Sequence, residues 1–229
     1  MAEIFGTEGP DSLVGGDETD LIFGLGGGDT LRGSTGGGDT LFGGSDSDFL
    51  FSRGNNNWLF AGKGDDILEG GQGADTMFGD IGNDELFGGG GNDLMFGNNN
   101  QDVLFGRLGN DTMFGGQGND SIDGSDGNDL IFGDGGNDTL QGGNGSDQFV
   151  LGAGAGTDLI RDYGNTDSLV LQGNITEADL DFADGNFTLP GFAPDVFITL
   201  RSTGETLAIL EGITLAEFNQ IRIIEPLII

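Results

Sequence analysis

Every ninth residue from Asp66 to Asp147 is an aspartate, and two residues after each stands a large apolar side chain, from Leu68 through to Phe149. Glycine-rich turns fill the gaps. A period of nine held over ten copies demands a repeat architecture, in which each unit buries its apolar residue only against its neighbours. Upstream the same slot falls at 11, 20, 29, 39, 48 and 57, with one extra residue between Arg32 and Asp39. Fifteen of these sixteen slots are aspartate: Asp11, Asp20, Asp29, Asp39, Asp48, Asp66, Asp75, Asp84, Asp93, Asp102, Asp111, Asp120, Asp129, Asp138 and Asp147. The exception is Asn57. The apolar slot is never polar from Leu13 onward, and Ile4 fits it one unit earlier.

A three-residue stretch with one buried side chain, followed by a six-residue turn, predicts very short strands. Glycine suits the turn, where successive residues need positive φ and close backbone approach. Two units make one coil with a strand on each side, and stacked coils place parallel strands ~4.8 Å apart. Eight such coils predict a flat rod about 40 Å long.

The slot carboxylates lie in glycine turns of a chain with no histidine and no cysteine, which specifies a hard cation and oxygen ligands. With 39 acidic and 7 basic residues, the formal charge is −32. That charge excludes nucleic acid and anionic membrane surfaces as partners, and it opposes compaction unless cations bind. Missing Cys and His remove disulfides, the usual zinc ligands and the usual general base. No His-Glu-x-x-His helix is present, and the carboxylates have metal or solvent roles, so no enzyme is expected. No apolar stretch reaches the ~18 residues of a bilayer span, so no transmembrane segment is expected. Met1-Ala2-Glu3 begins no cleavable signal peptide, so export is expected to use another address.

In Gly88-Gly89-Gly90-Gly91-Asn92-Asp93-Leu94-Met95-Phe96 and in Gly115 to Asp123 the period reads Gly-Gly-x-Gly-x-Asp-x-apolar-x. On these motifs the chain, over roughly residues 3–170, resembles the RTX (repeats-in-toxin) family of calcium-binding nonapeptide repeats. The resemblance implies an all-β fold: a parallel β-roll, a right-handed β-helix of two short parallel sheets. It implies several Ca²⁺ ions between turns of successive coils, held by slot carboxylates and glycine-turn carbonyls. One edge would use Asp75, Asp93, Asp111, Asp129 and Asp147, and the other Asp66, Asp84, Asp102, Asp120 and Asp138. Three turns depart from the pattern. Ser52 to Asn57 lacks the aspartate and carries Arg53, while Asn100 and Glu18 replace a turn glycine before Asp102 and Asp20. The middle and C-terminal half of the roll are therefore expected to bind calcium best. With so few buried side chains set against the ordering of glycine-rich backbone, the roll is expected to fold only when calcium binds.

The position after the buried slot separates by sheet. One sheet carries Phe5, Phe23, Phe42, Phe60, Phe78, Phe96, Phe114 and Phe132, then Val150. Strand alternation turns these rings away from the buried column, beside Leu21, Thr40, Trp58, Thr76, Leu94, Thr112 and Leu130. At ~150 Å² or more per aromatic, such a face exceeds what a monomer normally exposes. Either the rings turn inward or are covered by the C-terminal region, or the face, Trp58 included, is a self-association interface. The first strand, near Ile4, is expected to present an open edge, from which head-to-tail stacking of rolls follows as an expectation.

After Leu151 the beat fades through Asp158-Leu159-Ile160 and Asp167-Ser168-Leu169. Leu180-Asp181-Phe182, residues 196–200 and residues 206–210 alternate, the last two as a hairpin around 201–205. A helical turn over 214–219 and an apolar end over 221–229 follow. This region is similar to the C-terminal part of RTX proteins, which implies a β cap and a signal for the type I secretion machinery. Residues 1–151 are thus expected to form the calcium-binding roll and 152–229 a capping and secretion region. The expected function is that of a secreted, extracellular or cell-surface structural protein that self-assembles, as a homo-oligomer or filament, into a fibre, surface layer or matrix. Alternatives are a calcium-dependent adhesion, ice- or surface-binding module and a simple secretion cassette. Threonines on alternate rungs, crowded by Phe, disfavour ice.

Overall fold

A computed structural model describes residues 1–185, 195–214, 217 and 222–224. Among these, the chain winds as a β-solenoid of about nine turns, alternating between two sheets. Sheet one stacks Glu3–Phe5, Leu21–Gly26, Thr40–Ser45, Trp58–Lys63, Thr76–Ile81, Leu94–Asn99, Thr112–Gln117, Leu130–Gly135, Gln148–Leu151, Ser168–Leu171 and Arg222–Ile224. Sheet two stacks Ser12–Val14, Thr30–Arg32, Phe49–Phe51, Ile67–Gln72, Glu85–Gly90, Val103–Leu108, Ser121–Asp126, Thr139–Gln141 and Asp158–Ile160 in the same way. All of these pairings are parallel and residue-matched: Met77 faces Met95, Met95 faces Met113, and Leu86 faces Leu104.

The apolar slots fill the space between the sheets. Ile22, Leu59, Met77, Leu104, Met113 and Phe149 are fully buried and belong to one continuous core. Each is covered by the slot residues above and below it, so the core is one side chain wide per sheet.

Strands in the regular part are six residues long, not three. In Thr76–Ile81 the alternation continues past Phe78, so Met77 and Gly79 both face inward. The following residue takes a left-handed conformation (Asp80, φ 72°), which bends the strand without ending its pairing, and Asp80 still faces Asn98. Composition marks this segment as turn, but the backbone pairing runs through it. The second inward position is nearly always glycine, with Ser52, Ala61 and Leu151 as buried exceptions.

The C-terminal segment extends both sheets edge-on. Ser168–Leu171 pairs with Gln148–Leu151, and Asp158–Ile160 with Thr139–Gln141. Sheet two then closes with Thr206–Leu210, Asp195–Leu200 and Leu180–Gly185, the first of these parallel to Asp158–Ile160 and the others antiparallel. The hairpin expected around residues 201–205 is present. The helical turn expected over 214–219 and the apolar end over 221–229 lie largely outside the described residues.

The Phe ladder faces away from the core, as strand alternation requires. Neighbouring rings from Phe5 to Phe132 stack nearly parallel, with centroids 4.3–5.0 Å apart. Phe5 is 59 % and Trp58 50 % exposed, and the rings from Phe23 to Phe114 are half-buried by one another. Phe132 departs from the expectation of an open face at every rung. It is buried in a small outer cluster with Val150 and Val170, against which Phe114 and Leu130 pack.

Candidate metal centre

The slot aspartates form two columns, one along each edge of the roll, and are almost fully buried from Asp20 onward. Their first oxygen is already committed. Oδ1 of Asp84 accepts from the N–H of Asp66 at 2.9 Å, and Oδ1 of Asp102 accepts from Asp84 at 2.8 Å. The bond recurs one coil apart along each edge, through Asp93, Asp111, Asp129 and Asp147 on the other column. Each carboxylate thus locks the coil before it.

The second oxygen separates the predicted residues into two groups. In Asp29, Asp48, Asp66, Asp75, Asp84, Asp93, Asp102, Asp111, Asp120, Asp129, Asp138 and Asp147, Oδ2 is buried and has no hydrogen-bond partner. In Asp11, Asp20 and Asp39 it accepts from a turn N–H: Thr7 at 2.6 Å, Gly16 at 2.6 Å and Ser34 at 2.7 Å. These three carboxylates are satisfied by their own turns.

An unpartnered buried carboxylate oxygen is costly, and its neighbours here make it more so. A methyl group built on Gly97 would lie 2.5 Å from Asp102 Oδ2 and 2.6 Å from the Gly115 carbonyl oxygen. At Gly70 the same test finds Asp75 Oδ2 at 2.6 Å and Gly88 O at 2.7 Å. A carboxylate oxygen and the carbonyl of the next coil therefore both lie beside most inward glycines, from Gly70 to Gly124 in the regular part, and the missing side chain leaves them room. A buried carboxylate oxygen with no donor calls for positive charge beside it, a proton or a cation. Among the described residues no three carboxylates gather in one place. A cation would thus draw on one or two slot carboxylates and fill its shell with main-chain carbonyls, the donor set of a hard ion such as calcium. The residues present fit that ion.

Burial raises the slot carboxylates above the usual aspartate range. Asp75, Asp84, Asp93, Asp111 and Asp120 are pushed up to about 6, and Asp48, Asp66 and Asp129 to about 7. Asp102 reaches about 8, where the charges of Asp84 and Asp120 add to burial. In each case the hydrogen bond from the preceding coil pulls the other way without prevailing.

Two column members escaped the sequence reading as site residues. Asp158 Oδ1 accepts from Asp138 N–H at 3.2 Å, and Asp167 Oδ1 from Asp147 N–H at 3.0 Å. Both follow at a spacing of twenty rather than eighteen, which broke the count. Their signal was the retained Asp-x-apolar order at Asp158-Leu159-Ile160 and Asp167-Ser168-Leu169.

The family model of the RTX calcium-binding nonapeptide repeat (4 copies) matches residues 3–31, 33–68, 51–86, 69–104, 87–122 and 123–160. Among solved structures the chain is similar to the extracellular lipase LipA from Serratia marcescens, at 18 % identity and a TM-score of 0.29. The match covers 97 % of this chain and 40 % of the lipase. A search of curated proteins gives no match. With its repeats matched over most of their length and its columns of oxygen donors in place, the chain belongs to the RTX calcium-binding nonapeptide repeat family and is a calcium-binding β-roll.

Proposed function

We propose that this roll is an exported, extracellular structural protein that winds when it meets calcium and then pairs with a second copy through the Phe face of sheet one. The carrying observation is the ring stack from Phe5 to Phe114, which lies open on the outer side of sheet one. The described C-terminal strands lengthen the sheets instead of lying across this face. A second copy is the partner that fits best. Its ladder has the same flat surface and the same ~4.8 Å strand spacing, so the two rows of rings can lie against each other in register from Phe5 to Phe114. The sheet-one strands from Leu21–Gly26 to Gln148–Leu151 carry no arginine, whereas on the outer side of sheet two Arg107 lies over Phe87 and pairs with Glu69 at 3.5 Å.

Export fits both the chemistry and the family, whose members are served by type I secretion. Ion sites in the ~10⁻⁴–10⁻³ M class of extracellular modules would leave the chain unwound inside a cell and wind it outside. No helix among the described residues is long and apolar enough to cross a membrane.

Light scattering after gel filtration, with and without calcium, tests the pairing. Wild type should run as a dimer or larger species only in calcium. The double variant Phe60→Thr, Phe96→Thr should show the same calcium-induced circular dichroism but run as a monomer. A wild type that is monomeric at saturating calcium would falsify the assembly reading.

A further inference from the structure

The aspartate column of one edge is interrupted at slot 57, and the substituted side chain does something specific there. Asn57 is fully buried. Its Oδ1 accepts from the Asp39 N–H at 2.9 Å, the bond an aspartate Oδ1 makes at the other rungs. Its Nδ2 donates to the Gly54 carbonyl at 3.1 Å, the Gly70 carbonyl at 3.1 Å and Asp75 Oδ1 at 2.8 Å. The surroundings fix the amide's orientation. Turned over, its carbonyl would face three oxygens and its NH₂ would face the Asp39 N–H.

Nδ2 therefore occupies the place that Oδ2 holds in an aspartate slot, and it serves the equivalent oxygens. Gly70 follows Asn57 by the same interval that separates Gly88 from Asp75 and Gly115 from Asp102. At those aspartate rungs Oδ2 and a carbonyl oxygen lie beside the same glycine, and Oδ2 has no hydrogen-bond partner. At rung 57 two N–H dipoles fill that role, and the neutral amide carries no charge to desolvate.

We propose that Asn57 is a built-in replacement for a calcium ion. The joint between the coils carrying Asn57 and Asp75 then closes without metal and anchors the roll while the coils on either side await calcium. This inference goes beyond the assembly reading and stands whether or not two rolls pair.

Two full-length variants and two measurements test it. Native mass spectrometry at saturating calcium should show Asn57→Asp holding one more ion than wild type and Asp102→Asn holding one fewer. In metal-stripped protein, amide hydrogen exchange should find residual protection in wild type on Trp58–Lys63 and Thr76–Ile81, the strands flanking this joint. Asn57→Asp should lose that protection, and Asp102→Asn should gain it on Val103–Leu108 and Ser121–Asp126. Unchanged ion counts overturn the proposal, and so does a stripped wild type that exchanges at this joint as fast as Asn57→Asp. Should Asn57→Asp fail to fold even in calcium, Asp102→Asn decides alone. One ion fewer with new protection supports the proposal, and anything else overturns it.

Discussion

Stripping the metal should make this roll an acid-stabilised protein. The slot aspartates begin near 3.8 in the unfolded chain and are raised by burial to about 6 at Asp75, Asp84 and Asp93, about 7 at Asp66 and about 8 at Asp102. Between those limits the wound chain binds more protons than the unwound one. Stability is therefore greatest below about pH 4 and falls as pH rises through 6 to 8. A rise from 3.8 to about 6 corresponds to ~3 kcal/mol opposing folding at high pH, and a rise to about 8 to ~6 kcal/mol. Three or four such groups together match the ~5–15 kcal/mol net stability of an ordinary domain. Metal-free protein followed by far-UV circular dichroism from pH 4.5 to 8.5 should show parallel-sheet signal at the acid end and lose it by pH 8. With calcium present the loss should vanish, because the ion takes over the proton's position. Calcium added at pH 6 should release protons, measurable on a pH-stat. A stripped sample that keeps its β-signal at pH 8, or calcium uptake without proton release, would refute the view that positive charge at these oxygens is what closes the coils.

Two substitutions probe the turns. Gly136 has φ 149°, and a side chain there would collide with the Gly118 carbonyl of the neighbouring coil. Gly136→Ala should cost ~3 kcal/mol or more, seen as a higher calcium requirement for half-folding. Leu25 shows the opposite case: it is held at φ 83° with its side chain about half in solvent, where the next coil has Gly44. Leu25→Gly should raise stability in calcium by ~1 kcal/mol, and a lower thermal midpoint would contradict that.

Much of this architecture was legible because the chain states it many times. The aspartate and the apolar residue two places on each occupy one environment, repeated coil after coil, so the period alone gave both columns and the core. Strand length was harder to read. Gly79-Asp80-Ile81 has the composition of a turn, and the continued pairing of Asp80 with Asn98 depends on a left-handed residue inside a strand, which composition does not signal. Insertions hid Asp158 and Asp167 for a different reason. A period count fails when two residues are added, although the hydrogen bonds from Asp138 and Asp147 still reach across the longer loop, at 3.2 and 3.0 Å.

Asn57 marks where reading by repeat reaches its limit. A broken motif looks like a lost site, and the sequence offers only the absence of a carboxylate. What the side chain does instead depends on oxygens it does not contain: those of Gly54, Gly70 and Asp75, brought together from three places in the chain. Exchanging one oxygen for an NH₂ turns an acceptor that needs a cation into a donor that needs none. In a repeat fold the exceptional unit is thus understood through its regular neighbours, because they show which unmet need it satisfies. The same reasoning separates Asp11, Asp20 and Asp39 from the other twelve slots: their second oxygens already hold a turn N–H, so a cation gains less by binding there. Calcium should accordingly leave these three rungs first as its concentration falls, while their turn hydrogen bonds keep the second oxygens satisfied. At half-saturating calcium, native mass spectrometry should show Asp20→Asn holding as many ions as wild type and Asp102→Asn holding fewer, and the reverse order would mean that an empty second oxygen is not what draws the ion.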